Sequence, residues 1–290
     1  MENKLLILID SNAIAYQAYF ANKGAFSYKG MRTEVVFGFL HQILKIFKKY
    51  RSNNFVFAWD SRKSNRKILF EGYKEKRKEN LNEEERRDLN EGFVQFDLLR
   101  KVVLPTMGFN NIFMQTGFEA DDIIGSVSHR TREDQVVIVS SDHDMYQLLG
   151  SGIVIYDPKK GEERGVDWFR KEFALSEPLE YAKVLSLAGC SSDNVPGVPG
   201  VGVKTAIKYL KGELKKDSKA YKNIQKYGED AAFYDRLVRL PFEGTGKFEV
   251  KENRLCEKFF WDNFSYYGFQ SFMKQENWAD WVDFIYEVPF

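Results

Sequence analysis

An α/β fold, with a central, mostly parallel sheet flanked by helices, is what this sequence predicts, and three observations predict it. Short apolar runs (LLILI, FVFAW and VVIV) alternate with amphipathic helical patterns, as parallel strands alternate with their crossover helices. Each run delivers acid just beyond its end: Asp10, Asp60, and the pair Asp142 and Asp144. The alternation is interrupted after Asp60 by a basic insertion, and after residue 175 it gives way to helical patterns. The expected organisation is an α/β core over residues 1–175, carrying the insertion at 62–95, and a helical module over 176–290. That module contains a hairpin of helices at 189–211 and an aromatic C-terminal segment.

Taken in order, residues 5–9 form the first strand, turned by DSN at 10–12 into a short helix, IAYQAYFA. FSYKG reads as a glycine-punctuated loop, and TEVVFGFLHQILKIFKKY as a long amphipathic helix capped by Thr33. NNFVFAWD, rich in β-branched and aromatic residues, is the next strand. Beyond it, RKSNRKILFEGYKEKRK interleaves Arg66, Lys74, Arg77 and other cations with Leu69, Phe70 and Tyr73. A solvated charged helix would account for this pattern through its Glu–Lys pairs. A phosphate-tracking segment with an aromatic able to stack on a base accounts also for its place directly after an acidic strand end. The chain returns through an amphipathic helix closed by Pro105 and Gly108, and then a short strand, NNIFMQ.

The stretch at 116–149 organises the rest. It places Glu119, Asp121 and Asp122 at the start of one helix, then runs through VVIV to Asp142 and Asp144. Helix capping and turn chemistry explain each cluster separately. They do not explain why Asp10 and Asp60 also stand beyond strand ends, where open α/β sheets bind ligands. Carboxylates crowded there repel one another without a counter-charge, and oxygen-only ligands favour Mg²⁺ or Mn²⁺. His143 alternates with the two aspartates and is expected to point away from them. DMYQLL reads as a short helix, GIVIYDP as an edge strand, and KKGEERG as turn residues. Two helices follow, and then SSDNVPGVPGVGVKTAIKYLKG, in which GVG at Gly200, Val201 and Gly202 precedes a helix bearing Lys204. Such glycines let a backbone approach closely, and the amides behind them can receive a phosphate. The remaining aromatics at helical spacing read as core.

Composition narrows the class. With 290 residues, 29% charged and 43% apolar, the chain is an ordinary globular protein, and its net charge of +1 excludes one that is basic throughout. The apolar run at the start is five residues long and ends in Asp10, too short for a membrane span. Cys190 and Cys256 have no metal spacing or disulfide framework, so a reducing, cytoplasmic setting is expected; the chain is also expected to be a monomer.

Together these pieces carry a resemblance. Asp10 at the first strand, GMRTEVVFGF, FVFAWD, NRKILFEGYKEKR, GFEADDIIG, VSSDHDMYQLL and SSDNVPGVPGVGVKTA, in this order, resemble the 5′ nuclease family. That family includes bacteriophage 5′ exonucleases, the 5′ nuclease domain of bacterial DNA polymerase I and, more distantly, flap endonucleases. The resemblance runs to about residue 240 and implies metal-dependent hydrolysis of DNA at 5′ ends, nicks or flaps, with activity on RNA in RNA/DNA hybrids. It implies a first metal group of Asp10, Asp60, Glu119, Asp121 and Asp122, and a second of Asp142, Asp144 and Asp193. It implies that Lys74 and Arg77 contact the scissile phosphate from a helical arch, with Arg66 and Tyr73 at the same gateway. It implies a K⁺ ion on Gly200, Val201 and Gly202, facing duplex DNA. One position departs: where family members read Gly, Asp, two small residues, Asp, Asn, this chain has Gly189 followed by Cys190. The thiol is a poor Mg²⁺ ligand. A DNA-junction-binding protein with a weakened or one-metal site is therefore the alternative reading.

Overall fold

The computed structural model describes residues 5–75, 82–131 and 134–287. Strand β1 (Leu5–Asp10) runs straight into helix α1 (Ser11–Asn22), whose cap is the Asp10 carboxylate, accepting the Ala13 N–H at 3.0 Å. The FSYKG loop is a small hairpin, β2 (Ser27–Tyr28) and β3 (Met31–Arg32). In α2 (Glu34–Tyr50), Val36, Phe39, Leu40, Ile43 and Phe47 recur at helical spacing and are buried. Thr33 holds the N-cap position, but its side chain makes no capping bond. The Gln95 amide oxygen accepts the Val35 N–H at 2.9 Å instead. Strand β4 (Phe55–Ala58) lies parallel to β1 with Asp10 opposite Ala58, so the two strands end level and bring Asp10 and Asp60 to one rim.

Up to Glu75 the insertion contains less helix than its charge pattern implies. Helix α3 (Asn65–Leu69) is short, capped by Ser64, and gives way to turns from Glu71 to Lys74. Helix α4 (Glu83–Leu98) starts from a reciprocal capping box of Asn82 and Glu85 and has three glutamates in its first turn, where the dipole favours them. It passes through a π-helical turn at Leu99–Val103 into α5 (Leu104–Thr106). Strand β5 (Ile112–Phe113) pairs with β4, α6 (Ala120–Ser128) follows, and β6 (Gln135–Val139) pairs with the other side of β1. A 3₁₀ turn at His143–Leu148 leads to β7 (Ile153–Asp157). The strand order, ending in β8 (Glu162–Arg164), is β5-β4-β1-β6-β7-β8. GIVIYDP is thus not the edge: β8, from the residues read as a turn, pairs antiparallel with β7. Three residues are too few to show alternation. Arg164 is held inward by cation–π contacts, 5.0 Å from the Trp168 ring centre.

Alternation along β1 sends Ile7 and Ile9 to one face of the sheet and Leu6 and Leu8 to the other. Helices α7 (Val166–Phe173), α8 (Glu180–Ala188), α9 (Val203–Leu210), α10 (Lys219–Lys226) and α11 (Gly228–Val238) contribute to the core that contains Leu6 and Leu8. Helices α12 (Glu257–Tyr267) and α13 (Gln275–Tyr286), grouped from sequence with the helical module, instead build the opposite core with α1 and α2. Phe284 meets Phe47 edge-on at 5.0 Å, and Asn53 donates to the carbonyls of Phe284 and Glu287 at the end of α13. Aromatic packing carries the C-terminal segment back across the chain, a long-range contact that helical spacing alone does not disclose. Among the described residues, no helix is long and apolar enough to cross a membrane.

Candidate metal centre and nucleic-acid interface

The first acidic group is assembled from two strand ends and one helix start. Asp10 accepts Ser140 Oγ at 2.9 Å, and burial, followed by the neighbouring charge of Asp60, raises its pKa to about 7. Asp60 accepts the Ala120 N–H at 2.8 Å, while its own N–H donates to Asn12 Oδ1. The rim is thereby tied to the N-terminus of α6. There Asp121 accepts the Asp122 N–H at 2.7 Å, and burial together with the Asp122 charge holds its pKa well above the usual carboxylate range. Glu119 accepts Lys74 Nζ at 2.8 Å. Burial pushes its pKa up, but Lys74 and Arg66 outweigh that and hold it below its ordinary value.

The structure withdraws Asp122 from this group. Its carboxylate is fully buried and gripped on both oxygens by Arg66, at 2.6 and 2.7 Å, and it also accepts the N–H of Phe242. A bidentate guanidinium occupies the lone pairs a metal would need. The same contact corrects the expectation that Arg66 lies at the gateway. Arg66 is 2% exposed and also donates to the Leu237 carbonyl, so it fastens the insertion to α6 and α11 rather than facing a phosphate. Tyr73, expected at the same gateway, is 2% exposed, with its hydroxyl 2.9 Å from both Glu119 and Asp193. Lys74 does reach the crevice: its Nζ lies 2.8 Å from Glu119 and 3.6 Å from Asp193. Its backbone has φ +54, uncommon for a residue with a Cβ, and its N–H donates to the Asp193 carbonyl. Arg77 lies outside the described residues.

The second group joins the 3₁₀ turn after β6 to the loop after α8. Asp142 caps the turn by accepting the Asp144 N–H, and its own N–H donates to Ser140 Oγ. His143 is exposed and stacks on Tyr146, away from the acids as expected. Asp144, Cys190 and Asp193 present ligand atoms that all lie within 4.8 Å of one another, the only such group of three among the described residues. Burial, then the charges of Asp142 and Asp193, raises the Asp144 pKa to about 8. Burial, then the charge of Asp144, raises that of the Cys190 thiol to about 12. Two glycines shape this loop. Gly189 has φ +80 and Gly197 φ +67, and a Cβ on either would fall 2.7 Å or less from the backbone of the other strand of the loop.

Two seams connect the groups. Ser140 bonds both Asp10 and Asp142, while Tyr73 and Lys74 span Glu119 and Asp193. Sequence reasoning gave no role to Ser140, Asn12, Gly189 or Gly197. A hydroxyl and an amide just after strand ends were the available signals for the first two, and the glycines before and after the Cys190 loop for the others.

In the hairpin, Gly200 has φ +77 and requires glycine. Gly202 adopts an extended φ of −102, and a Cβ there meets nothing within 4 Å, so its freedom is not needed for folding. Its carbonyl accepts the N–H groups of Thr205 and Ala206, while Val201 is 5% exposed and turned into the core. Lys204 and Lys208 are exposed along α9, and Ala206 is packed beneath them.

The family model for the 5′-3′ exonuclease N-terminal, resolvase-like domain matches residues 5–174. The 5′-3′ exonuclease of Buchnera aphidicola subsp. Schizaphis graminum is 32% identical over 229 residues, 78% of this chain and 76% of that protein. DNA polymerase I of Bacillus caldotenax is 33% identical over 216 residues, 72% of this chain but 23% of the polymerase, so the chain spans under a quarter of that relative. Among solved structures, the T5 5′-exonuclease with bound divalent metal ions (zinc) superposes with a TM-score of 0.70 at 19% identity, over 82% of this chain and 90% of that one. Flap endonuclease-1 from Methanococcus jannaschii superposes with a TM-score of 0.60 at 15% identity, over 98% and 92%. The fold is therefore shared with these nucleases, and on the sequence matches the chain belongs to the 5′-3′ exonuclease family and is a nuclease.

Proposed function

We propose that the protein is a structure-dependent 5′ nuclease, hydrolysing DNA phosphodiesters at 5′ ends, nicks or flap junctions with the aid of Mg²⁺ or Mn²⁺. The observation that carries this reading is the meeting of two acidic groups at one rim, linked by Ser140 and by Tyr73 with Lys74. The first donor set is all oxygen, and burial holds the carboxyls of Asp10 and Asp121 above their ordinary range, as expected of acids whose counter-charge is a cation. Asp10, Asp60, Glu119 and Asp121 would hold one ion, and Asp142, Asp144 and Asp193 a second. When bound, such ions supply a hydroxide nucleophile from coordinated water and stabilise charge on the leaving oxygen.

The chain's own groups do the rest. Lys74, 2.8 Å from Glu119, brings positive charge to where a phosphate meets the acids and offsets the charge that develops there. Arg77 is proposed to act beside it. Tyr73 fixes the orientation of the Glu119 and Asp193 carboxylates. Lys204 and the backbone of Gly200 to Gly202 are proposed to hold the duplex. A K⁺ ion at the hairpin would rest on the Gly200 and Val201 carbonyls, since that of Gly202 already accepts two N–H groups. Cleavage of RNA in RNA/DNA hybrids belongs to the same proposal, and two free cysteines accord with a cytoplasmic setting. Cys190 in the second group favours one further reading, a one-ion enzyme in which the first group alone sustains cleavage. Titrating Mg²⁺ and Mn²⁺ against 5′-labelled flap, nicked and single-stranded substrates tests the proposal. Metal-dependent products from the flap and nick at rates above single strand are expected, and metal-independent or structure-blind cleavage would overturn it.

A further inference from the structure

We propose that Asp144, Cys190 and Asp193 form a mixed sulfur and oxygen site that takes a thiophilic divalent ion, of the zinc, cobalt or cadmium class, with Cys190 as a thiolate ligand. The proposal rests on the reading that this group holds the second ion, and it changes which ion the group selects.

Three observations carry it. The ligand atoms of the three residues lie within 4.8 Å of one another. The spacing of Cys190 and Asp144 suits a tetrahedral soft-metal site: metal–sulfur and metal–oxygen bonds of about 2.3 and 2.1 Å set the two ligand atoms about 3.6 Å apart. Cys190 Sγ lies 3.6 Å from Asp144 Oδ2. The sulfur is also fixed in place. Cys190 is 7% exposed, exchanges both backbone hydrogen bonds with Val195, and sits between Gly189 and Gly197, whose backbones touch too closely for any side chain. Asp193 is oriented in turn, since Tyr73 OH lies 2.9 Å from its Oδ2 and Lys74 Nζ 3.6 Å from its Oδ1.

The chemistry follows from ligand softness. Mg²⁺ prefers six oxygens in a regular octahedron and gains little from sulfur, whereas thiolate selects zinc-like ions and accommodates four-coordination. The fourth position would go to water or a phosphate oxygen. On binding, the metal–sulfur bond replaces the S–H bond and the thiol proton passes to solvent, together with any proton that Asp144 carries, with no change of oxidation state.

The test uses the full chain, stripped of metal and titrated with Cd²⁺ and Co²⁺ in the presence of excess Mg²⁺. A thiolate-to-metal charge-transfer band that saturates at one equivalent is expected in the wild type and in Cys256→Ser. The band should be absent from Cys190→Ser. Cys190→Asp should show no band and should lower the Mg²⁺ concentration for half-maximal cleavage about tenfold, the lower end of what one altered ligand environment contributes. No band in the wild type, or a band that persists in Cys190→Ser, would overturn the proposal. Asp144→Asn tests the underlying reading separately: unchanged cleavage would remove the second ion from the mechanism, whatever the absorption shows.

Discussion

The two acidic groups differ in how the chain prepares them. The first is built on rigid parts, the level ends of β1 and β4 and the start of α6, and the chain supplies its own cations. Arg66 neutralises Asp122, and Lys74 meets Glu119. The second hangs between a 3₁₀ turn and a loop, Lys74 beside it is shared with the first group, and one of its three converging ligands is a thiol. The difference teaches that a buried acidic site can be stabilised in advance by pairing one carboxylate permanently, leaving its neighbours available.

The largest effect should come from Asp121→Asn. Cleavage should fall roughly a thousandfold, equivalent to about 4 kcal/mol of transition-state stabilisation, while duplex binding by gel shift stays equal or tightens as repulsion of phosphates is relieved. Asp142→Asn should cost less, roughly a hundredfold. Equal losses would erase the distinction between the groups.

Next in size is Arg66→Met, which strands a buried carboxylate and should lower unfolding free energy by about 3 kcal/mol in urea titration. Arg66→Lys should recover only part of it, because an ammonium cannot hold both oxygens of Asp122. Unaltered stability in Arg66→Met would mean that the first group is not held by this pair.

The pH response is expected to be smaller and separates the groups again. Asp10 and Asp144 have folded pKa values raised to about 7 and about 8, so the native chain binds more protons than the unfolded chain between pH 4 and those values. In chelator, their contribution to stability therefore falls as pH rises across that window, and added divalent metal should restore it most at the alkaline end. Thermal melts from pH 5 to 8.5, with and without metal, check this. A metal effect independent of pH would argue against ions binding these carboxylates.

The smallest effects lie at the hairpin. Gly200→Ala forces a Cβ into the left-handed region and should cost about 1 kcal/mol of stability. Gly202→Ala should leave stability within about 0.5 kcal/mol yet weaken duplex binding more than single-strand binding, measured by fluorescence anisotropy. Equal loss on both substrates would show that Gly202 does not approach the duplex.

Much of this was legible in the sequence because the residues that matter stand next to strong local signals. Asp10, Asp60 and Asp142 follow strands whose apolar runs are unmistakable, and Cys190 stands out against an otherwise regular motif. Arg66 and Tyr73 were misplaced for a physical reason: within a run of cations, a buried Arg that pairs with an Asp far along the chain looks the same as one facing solvent. The pairing is a tertiary fact, as is the return of α12 and α13 to the sheet. The hairpin glycines divide in the same way, since sequence marks both and only backbone dihedrals show that Gly200 serves the fold while Gly202 does not.

The shortness of the outer strands has a consequence for how copies of this protein meet one another. On one side, β8 offers three residues, two of them exposed glutamates. On the other, β5 offers two, and the chain near Lys251 lies alongside, with its N–H donated to Asn111 and Phe248 set against Phe113 at 5.2 Å. A sheet whose rims are brief, charged or already occupied gives an incoming chain almost no ladder on which to template fibrils or strand-exchanged assemblies. Concentrated solutions of the folded protein should accordingly elute as a single small species, and slow growth of thioflavin-positive material should require the chain to unfold first.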